Sequence, residues 1–99
     1  MIPGMVTKAS EENIALTTTI APKADIIHVT DTTTTTVLAT ITPPFGGSSG
    51  ICIIVNRSGA NITTVTTGNI DKAVTIPTSQ TCLFALSKLT AKFYPGAIS

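Results

Sequence analysis

The feature that most constrains the fold is the arrangement of β-branched residues in short runs. Almost every apolar run is four to nine residues long and is bounded by Gly, Pro, Asn or Asp, which is typical of strands. Spacing typical of helices is nearly absent. We therefore expect an all-β fold, an antiparallel β-sandwich or jelly-roll-like domain of about eight short strands. The strands are predicted near residues 14–20, 25–30, 34–42, 51–56, 61–67, 72–76, 80–86 and 89–94.

The first twenty residues lack this pattern. They contain Pro3, Gly4 and two adjacent glutamates, but no alternation of apolar and polar residues. The sequence predicts an N-terminal arm over residues 1–20 and a β-sandwich domain over residues 21–99. Three forms of the arm remain open: a frayed terminus, a single helical turn at SEEN, or a strand added to the sheet of a neighbouring subunit.

Five consecutive threonines, residues 32–36, lead without a turn signal into a half-apolar strand. Threonine is stiff at χ1 and favours the pleated conformation, so Thr32 to Thr35 are predicted to form the exposed start of that strand. A solvated, disordered linker is the open alternative. Alternation places Val37, Ala39 and Ile41 on one face of the strand, with Thr36, Leu38 and Thr40 on the other.

Charged residues make up only 11% of the chain, whereas about 25% is usual for a globular domain. Apolar residues make up 42%, and the mean hydropathy is +0.43. A domain of 99 residues buries only about 65% of its unfolded surface, so this chain has much surface and few charges to cover it. Threonine supplies a neutral polar coat. The remaining apolar excess predicts an oligomer or a subunit docked on a larger assembly.

The run ICIIV, residues 51–55, is apolar on both faces, which predicts a central strand that is covered above and below. Cys52 lies in this run, and Cys82 lies in a second apolar run, TCLFAL. Buried free thiols are expected in a reducing compartment, and a disulfide between the two cysteines is the open alternative.

The net charge is +1, and the six Lys and Arg residues are scattered, so the chain has no basic surface for nucleic acid. No run approaches the roughly 18 apolar residues that span a membrane. The first residues also lack the charged start and apolar centre of a signal peptide. We therefore expect no nucleic-acid or membrane partner, and a protein made in a cytoplasm.

Groups suited to catalysis or metal binding are few. His28 lies between Asp25 and Asp31, but on a strand both carboxylates are an odd number of positions away and point to the opposite face. The cysteines show none of the short paired spacings of zinc sites, and PFGGSSG lacks the lysine of a phosphate-binding loop. A small hydrolase needs a nucleophile, a base and oxyanion donors that this sequence does not supply together. No catalytic residue, cofactor or metal site is predicted.

The segments TVLATITPPFGG, TTGNIDKAVTI and AKFYPG follow one another in an order that resembles small β-domains of tailed-bacteriophage virion structural proteins. These domains include head-decoration proteins and the tips of head or tail fibres. The resemblance covers about residues 28–96 and rests on ITPPF followed by glycines, on TTGNI, and on Phe93-Tyr94-Pro95. Phe93 stands where related chains often carry Trp.

The resemblance implies a homotrimer without an active site, which binds the major capsid protein and reinforces the capsid surface of the virion. On that interpretation the chain is a decoration, or cement, protein of a phage head. A loose apolar terminus can order itself on a partner, so the arm of residues 1–16 is expected to contact the capsid. The capsid-contact candidates are Ile2, Met5, Val6, Ile14 and Leu16. The alternative function is a fibre-tip or receptor-binding module that adheres to a bacterial surface glycan.

Overall fold

The computed structural model describes residues 10–43 and 48–99. Within these two ranges the chain is all-β, as predicted, and forms no helix. None of the described residues therefore belongs to a helix long and apolar enough to cross a membrane. The strands are β1 (Glu11–Ala15), β2 (Thr19–Ile20), β3 (Ile26–Asp31), β4 (Val37–Leu38), β5 (Thr40–Ile41), β6 (Gly50–Asn56), β7 (Ile62–Thr64), β8 (Thr75–Ile76), β9 (Thr81–Ser87) and β10 (Lys92–Ile98).

The longer strands form one five-stranded sheet in the order β1-β3-β6-β9-β10. Its first two pairings, β1 with β3 and β3 with β6, are parallel, whereas β6 with β9 and β9 with β10 are antiparallel. The short strands form two smaller sheets, β2-β5 and β4-β7-β8. The sheets are therefore mixed, in contrast to the purely antiparallel sandwich that the sequence predicts.

One hydrophobic core joins the three sheets. Alternate residues of the five-stranded sheet point inward, where they meet residues of the smaller sheets in a single buried cluster. The largest fully buried side chains of the cluster are Phe84, Phe93, Leu16, Ile27 and Leu38. This packing is compatible with a β-sandwich in which the five-stranded sheet forms one layer.

Residues 10–20 belong to the fold rather than to a free arm. They contribute β1, which pairs with β3, and the Glu12 carboxylate accepts hydrogen bonds from two backbone N–H groups just before β3. Leu16 is fully buried in the core. The predicted arm is therefore wrong for residues 10–20. The SEEN segment leads into strand β1 rather than forming a helical turn, because β3 is available to pair with it. Residues 1–9 lie outside the described residues.

The threonine tract forms a loop, so the predicted strand start at Thr32 to Thr35 is wrong. Asp31 Oδ1 accepts hydrogen bonds from the backbone N–H of Thr33 at 2.8 Å and from its hydroxyl at 2.7 Å. These bonds, the backbone one first, hold the pKa of the Asp31 carboxyl below its usual range. Thr35 Oγ1 accepts the N–H of Val37 at 3.0 Å. Such local bonds give the backbone an alternative to a strand ladder, and they outweigh the β propensity of threonine.

The predicted two-faced strand from residue 34 to residue 42 is divided into two short strands. β4 pairs with β7, whereas β5 pairs with β2, so the chain changes sheet at Ala39. Because of this change, Leu38 and Ile41 are both fully buried, although strict alternation places them on opposite faces. The backbone N–H groups of Ala39 and Thr40 both donate to the carbonyl of Thr18, at 2.9 Å and 3.1 Å, which fixes the crossing point.

Candidate interaction surface

The outer side of the five-stranded sheet is apolar along its central strand. On β6, Cys52 and Ile54 point inward and are fully buried. Ile51 points outward and is 55% exposed, and Ile53 and Val55 on the same side are half-buried. The predicted central position of β6 is thus confirmed by the strand order, but the prediction that both its faces are covered is wrong for the single chain.

Neighbouring strands extend this apolar surface. Ile53 lies directly opposite Leu83 of β9, which is 40% exposed, and beside Ile26 of β3. Ile51 lies opposite Ala85, which in turn lies opposite Tyr94 of β10, 36% exposed. We call this surface the outward face. Its apolar residues are Ile26, Ile51, Ile53, Val55, Leu83, Ala85 and Tyr94, and His28 and Thr81, the neighbours of Val55, lie on the same side.

Gly96 leaves one flank of the outward face open. A side chain at this position would lie against Leu83, because its Cβ atom would be 3.8 Å from Leu83 Cβ. Glycine has no Cβ atom, so β10 does not cover Leu83 here. Leu83 is therefore exposed for two reasons: its side chain points away from the core, and Gly96 on β10 has no side chain to cover it.

Charged residues lie at both edges of the outward face. At the β1 edge, Glu11 Oε1 lies 2.8 Å from His28 Nε2, and both residues line an open depression with Asn13 and Arg57. At the β10 edge, Lys92 points outward and is exposed, because it lies two residues before Tyr94 on the same strand. The apolar centre thus has Glu11 and Arg57 at one edge and Lys92 at the other.

The sequence does not predict the contact between Glu11 and His28. The carboxylates nearest to His28 in the sequence, Asp25 and Asp31, accept hydrogen bonds from Ser10 and Thr33 instead. Glu11 is 17 positions from His28 and reaches it through the parallel pairing of β1 with β3. No local pattern indicates a pairing of that kind.

The β9–β10 hairpin presents an isolated apolar side chain. Leu89, in the turn between the two strands, is 97% exposed. The turn is held by Tyr94, whose hydroxyl donates to Thr90 Oγ1 at 2.9 Å. Since Gly50, the first residue of β6, lies opposite Leu86 near the end of β9, this turn lies beyond the start of β6.

The predicted capsid-contact residues fall into three groups. Ile2, Met5 and Val6 lie outside the described residues. Ile14 is half-buried against the core, and Leu16 is fully buried. Leu16 therefore offers no surface to a partner, which corrects its assignment as a contact residue. Leu16 is buried because it directly follows β1, which pairs with β3, and its own N–H donates to the carbonyl of Asp31.

Both cysteines are free and buried, as predicted. Burial raises the pKa of the Cys52 thiol to about 12, with smaller contributions from Asp25 and Cys82. Burial also raises the pKa of Cys82. Because a thiol with so high a pKa stays protonated, Cys52 acts as a small apolar core residue and is a poor nucleophile or metal ligand.

Within residues 10–43 and 48–99, no three His, Cys, Asp or Glu side chains come together as a possible metal site. No family model matches the sequence, and searches of curated proteins and of solved structures found no match either. The outward face and the hairpin turn are therefore interpreted from their own geometry.

Proposed function

We propose that this chain is a structural subunit of a tailed-phage particle, a decoration protein that binds the major capsid protein and reinforces the head. The observation that carries the proposal is the outward face, an exposed apolar surface on a chain with few charges. The subunit works as a homotrimer, catalyses no reaction and needs no cofactor. Its action is the burial of apolar surface across subunit boundaries, worth about 25 cal/mol per Å² before the costs of association.

The end of the sheet that carries the β9–β10 turn is the side we assign to the capsid. Leu89 projects there with almost its whole side chain exposed. The described chain begins at Ser10, just before β1, on the opposite edge of the sheet from this turn. Ile2, Met5, Val6 and the half-buried Ile14 remain capsid-contact candidates, and Leu89 joins them, whereas Leu16 leaves the set.

Co-sedimentation with empty heads of the phage that encodes the chain tests this proposal. The unmodified protein is expected to sediment with the heads, and Leu89→Ser and a variant without residues 1–9 are expected to bind at least about tenfold more weakly. Thr66→Ala, an exposed position in the loop after β7, is the matched control and should bind normally. Unchanged binding of both test variants, or no binding by the unmodified protein, would contradict the proposal.

One observation favours the alternative of an adhesive module. Tyr94 is partly exposed, and Thr90 holds its hydroxyl, so its ring is an ordered surface on which a sugar could stack. If the protein binds host cells but not empty heads, and Tyr94→Ala removes that binding, the adhesive function replaces the decoration function.

A further inference from the structure

We infer that the β9–β10 turn, residues 88–91, is an anchor that enters an apolar pocket bordered by carboxylates on a partner protein. The inference rests on the proposed function and names the chemistry of the capsid surface that accepts the turn. It is carried by three features of the turn: its residue types, its rigidity and its charges.

The residues of this turn are not those that favour turn formation. Gly, Pro, Asn, Asp and Ser dominate turns, whereas residues 88–91 are Lys, Leu, Thr and Ala. Ala91 has a φ of 57°, in the left-handed region that favours glycine. Leu89 is 97% exposed and adds nothing to the core. Residues that break a local rule without benefit to the fold indicate a functional site.

Hydrogen bonds hold the turn on both sides of Leu89. The N–H of Lys88 donates to Ser49 Oγ at 3.1 Å, and the N–H of Ala91 donates to the carbonyl of Ser87 at 2.8 Å. The bond from the tyrosine hydroxyl, described above, closes the same turn. The leucine side chain is therefore presented from an ordered backbone, and a pre-organised anchor loses less entropy when it binds.

Two positive charges flank the leucine. Lys88 adjoins Leu89, and Lys92 lies opposite Ser87 at the base of the turn. Both lysines are exposed, and neither forms an ion pair within the described part of the chain. Asp71 donates its backbone N–H to β10 nearby, but its carboxylate pairs with neither lysine. The two ammonium groups thus remain available to carboxylates of a partner.

This combination fits a protein pocket better than a lipid surface. A protein interface has apolar anchors at its centre and polar or charged groups at its rim, and opposite charges across the rim steer association. Binding in a lipid interface depends on a larger apolar area, as an amphipathic helix or an acyl chain provides. The turn offers a single large apolar side chain, which fills one pocket.

Association and dissociation rates on immobilised empty heads test the inference. Lys88→Glu combined with Lys92→Glu is expected to slow association at least about tenfold in about 0.1 M salt and to show much less effect in about 1 M salt, where charges are screened. Leu89→Ser is expected to speed dissociation at least about tenfold. Arg57→Glu makes the same charge change at the other end of β6 and is the control, expected to associate normally.

Circular dichroism verifies that these exposed substitutions leave the chain folded. If the unmodified chain binds heads but the lysine variant associates as fast as Arg57→Glu, the inference is overturned and the proposed function stands. If the unmodified chain does not bind heads, both are overturned. Vesicles of phosphatidylglycerol and phosphatidylcholine are the second arm, and no binding to them is expected. Vesicle binding that Leu89→Ser abolishes would replace the protein pocket by a lipid surface and overturn the inference.

Discussion

Ile53 and Leu83 lie directly opposite each other on β6 and β9, and both side chains point away from the core. A cross-strand apolar pair in this position contributes only about 0.2–1 kcal/mol to a single sheet. The two residues therefore do little for the fold of one chain. A partner surface that covers them, as the proposed function requires, would explain their apolar character.

The two faces of β6 should respond differently to the same substitution. Ile54→Thr places a hydroxyl in the core and removes a buried methyl group, so it is expected to lower the free energy of unfolding by about 2–4 kcal/mol. Ile53→Thr, one position away, should cost less than about 1 kcal/mol in the dilute single chain. Urea unfolding at low protein concentration measures both, and equal losses would show that the outward face is packed within the chain.

The side-chain amide of Asn69 replaces a missing strand beside β5. Its Oδ1 accepts the N–H of Ile41 at 2.9 Å, and its Nδ2 donates to the carbonyl of Ile41 at 2.7 Å. Asn69→Ala leaves both backbone groups of a buried residue without this partner and is expected to cost about 2–3 kcal/mol. Asn61→Ala, at an exposed position before β7, is the control and should change the urea midpoint very little.

Two glycines give a matched pair for steric tests. A Cβ at Gly68 would lie 2.2 Å from the carbonyl oxygen of Ala39 and 2.0 Å from Thr40 Oγ1, whereas a Cβ at Gly59 meets nothing within 4 Å. Gly68→Ala is therefore expected to lower stability by about 3 kcal/mol, because backbone must move at the point where the chain changes sheet. Gly59→Ala should be neutral or slightly stabilising in the same thermal unfolding assay. Equal changes in stability for Gly68→Ala and Gly59→Ala would contradict the close approach of Gly68 to Ala39.

The buried thiol of Cys52 predicts a loss of stability in alkali. Its pKa is raised from 9.0 to about 12 in the folded chain, so above pH 9 the unfolded chain loses a proton that the folded chain retains. This contribution to stability is complete below pH 9 and is lost as the pH rises toward 12. Urea midpoints measured from pH 8 to pH 11 should fall more steeply for the unmodified protein than for Cys52→Ala. If the urea midpoints of the two proteins fall equally with pH, the raised pKa of Cys52 is contradicted.

Local patterns predict much of this fold. Alternation and β-branched runs depend only on neighbouring residues, and they correctly indicate the all-β class, the central position of β6 and the burial of Cys52 and Cys82. The threonine loop is not predicted in this way, because the hydrogen bonds from Thr33 to Asp31 outweigh the propensity that threonine shares with other β-branched residues.

The candidate surface is only half predicted by the sequence. The apolar character of residues 51–55 indicates that both sides of the strand need cover, but it does not say whether that cover comes from the same chain. The contact between Glu11 and His28 requires the parallel pairing of β1 with β3, and the EENIA segment has too few apolar residues to indicate a strand. Long-range pairing, rather than composition, decides both features.

Tyr94 allows the most direct test of the central claim, because it is the single tyrosine of a chain without tryptophan and lies on the outward face. Acrylamide quenching of its fluorescence measures how far that face is covered. The account predicts that quenching weakens as protein concentration rises and the subunits associate, and that Ile51→Lys removes this change. Quenching that stays constant from dilute to concentrated protein would contradict it.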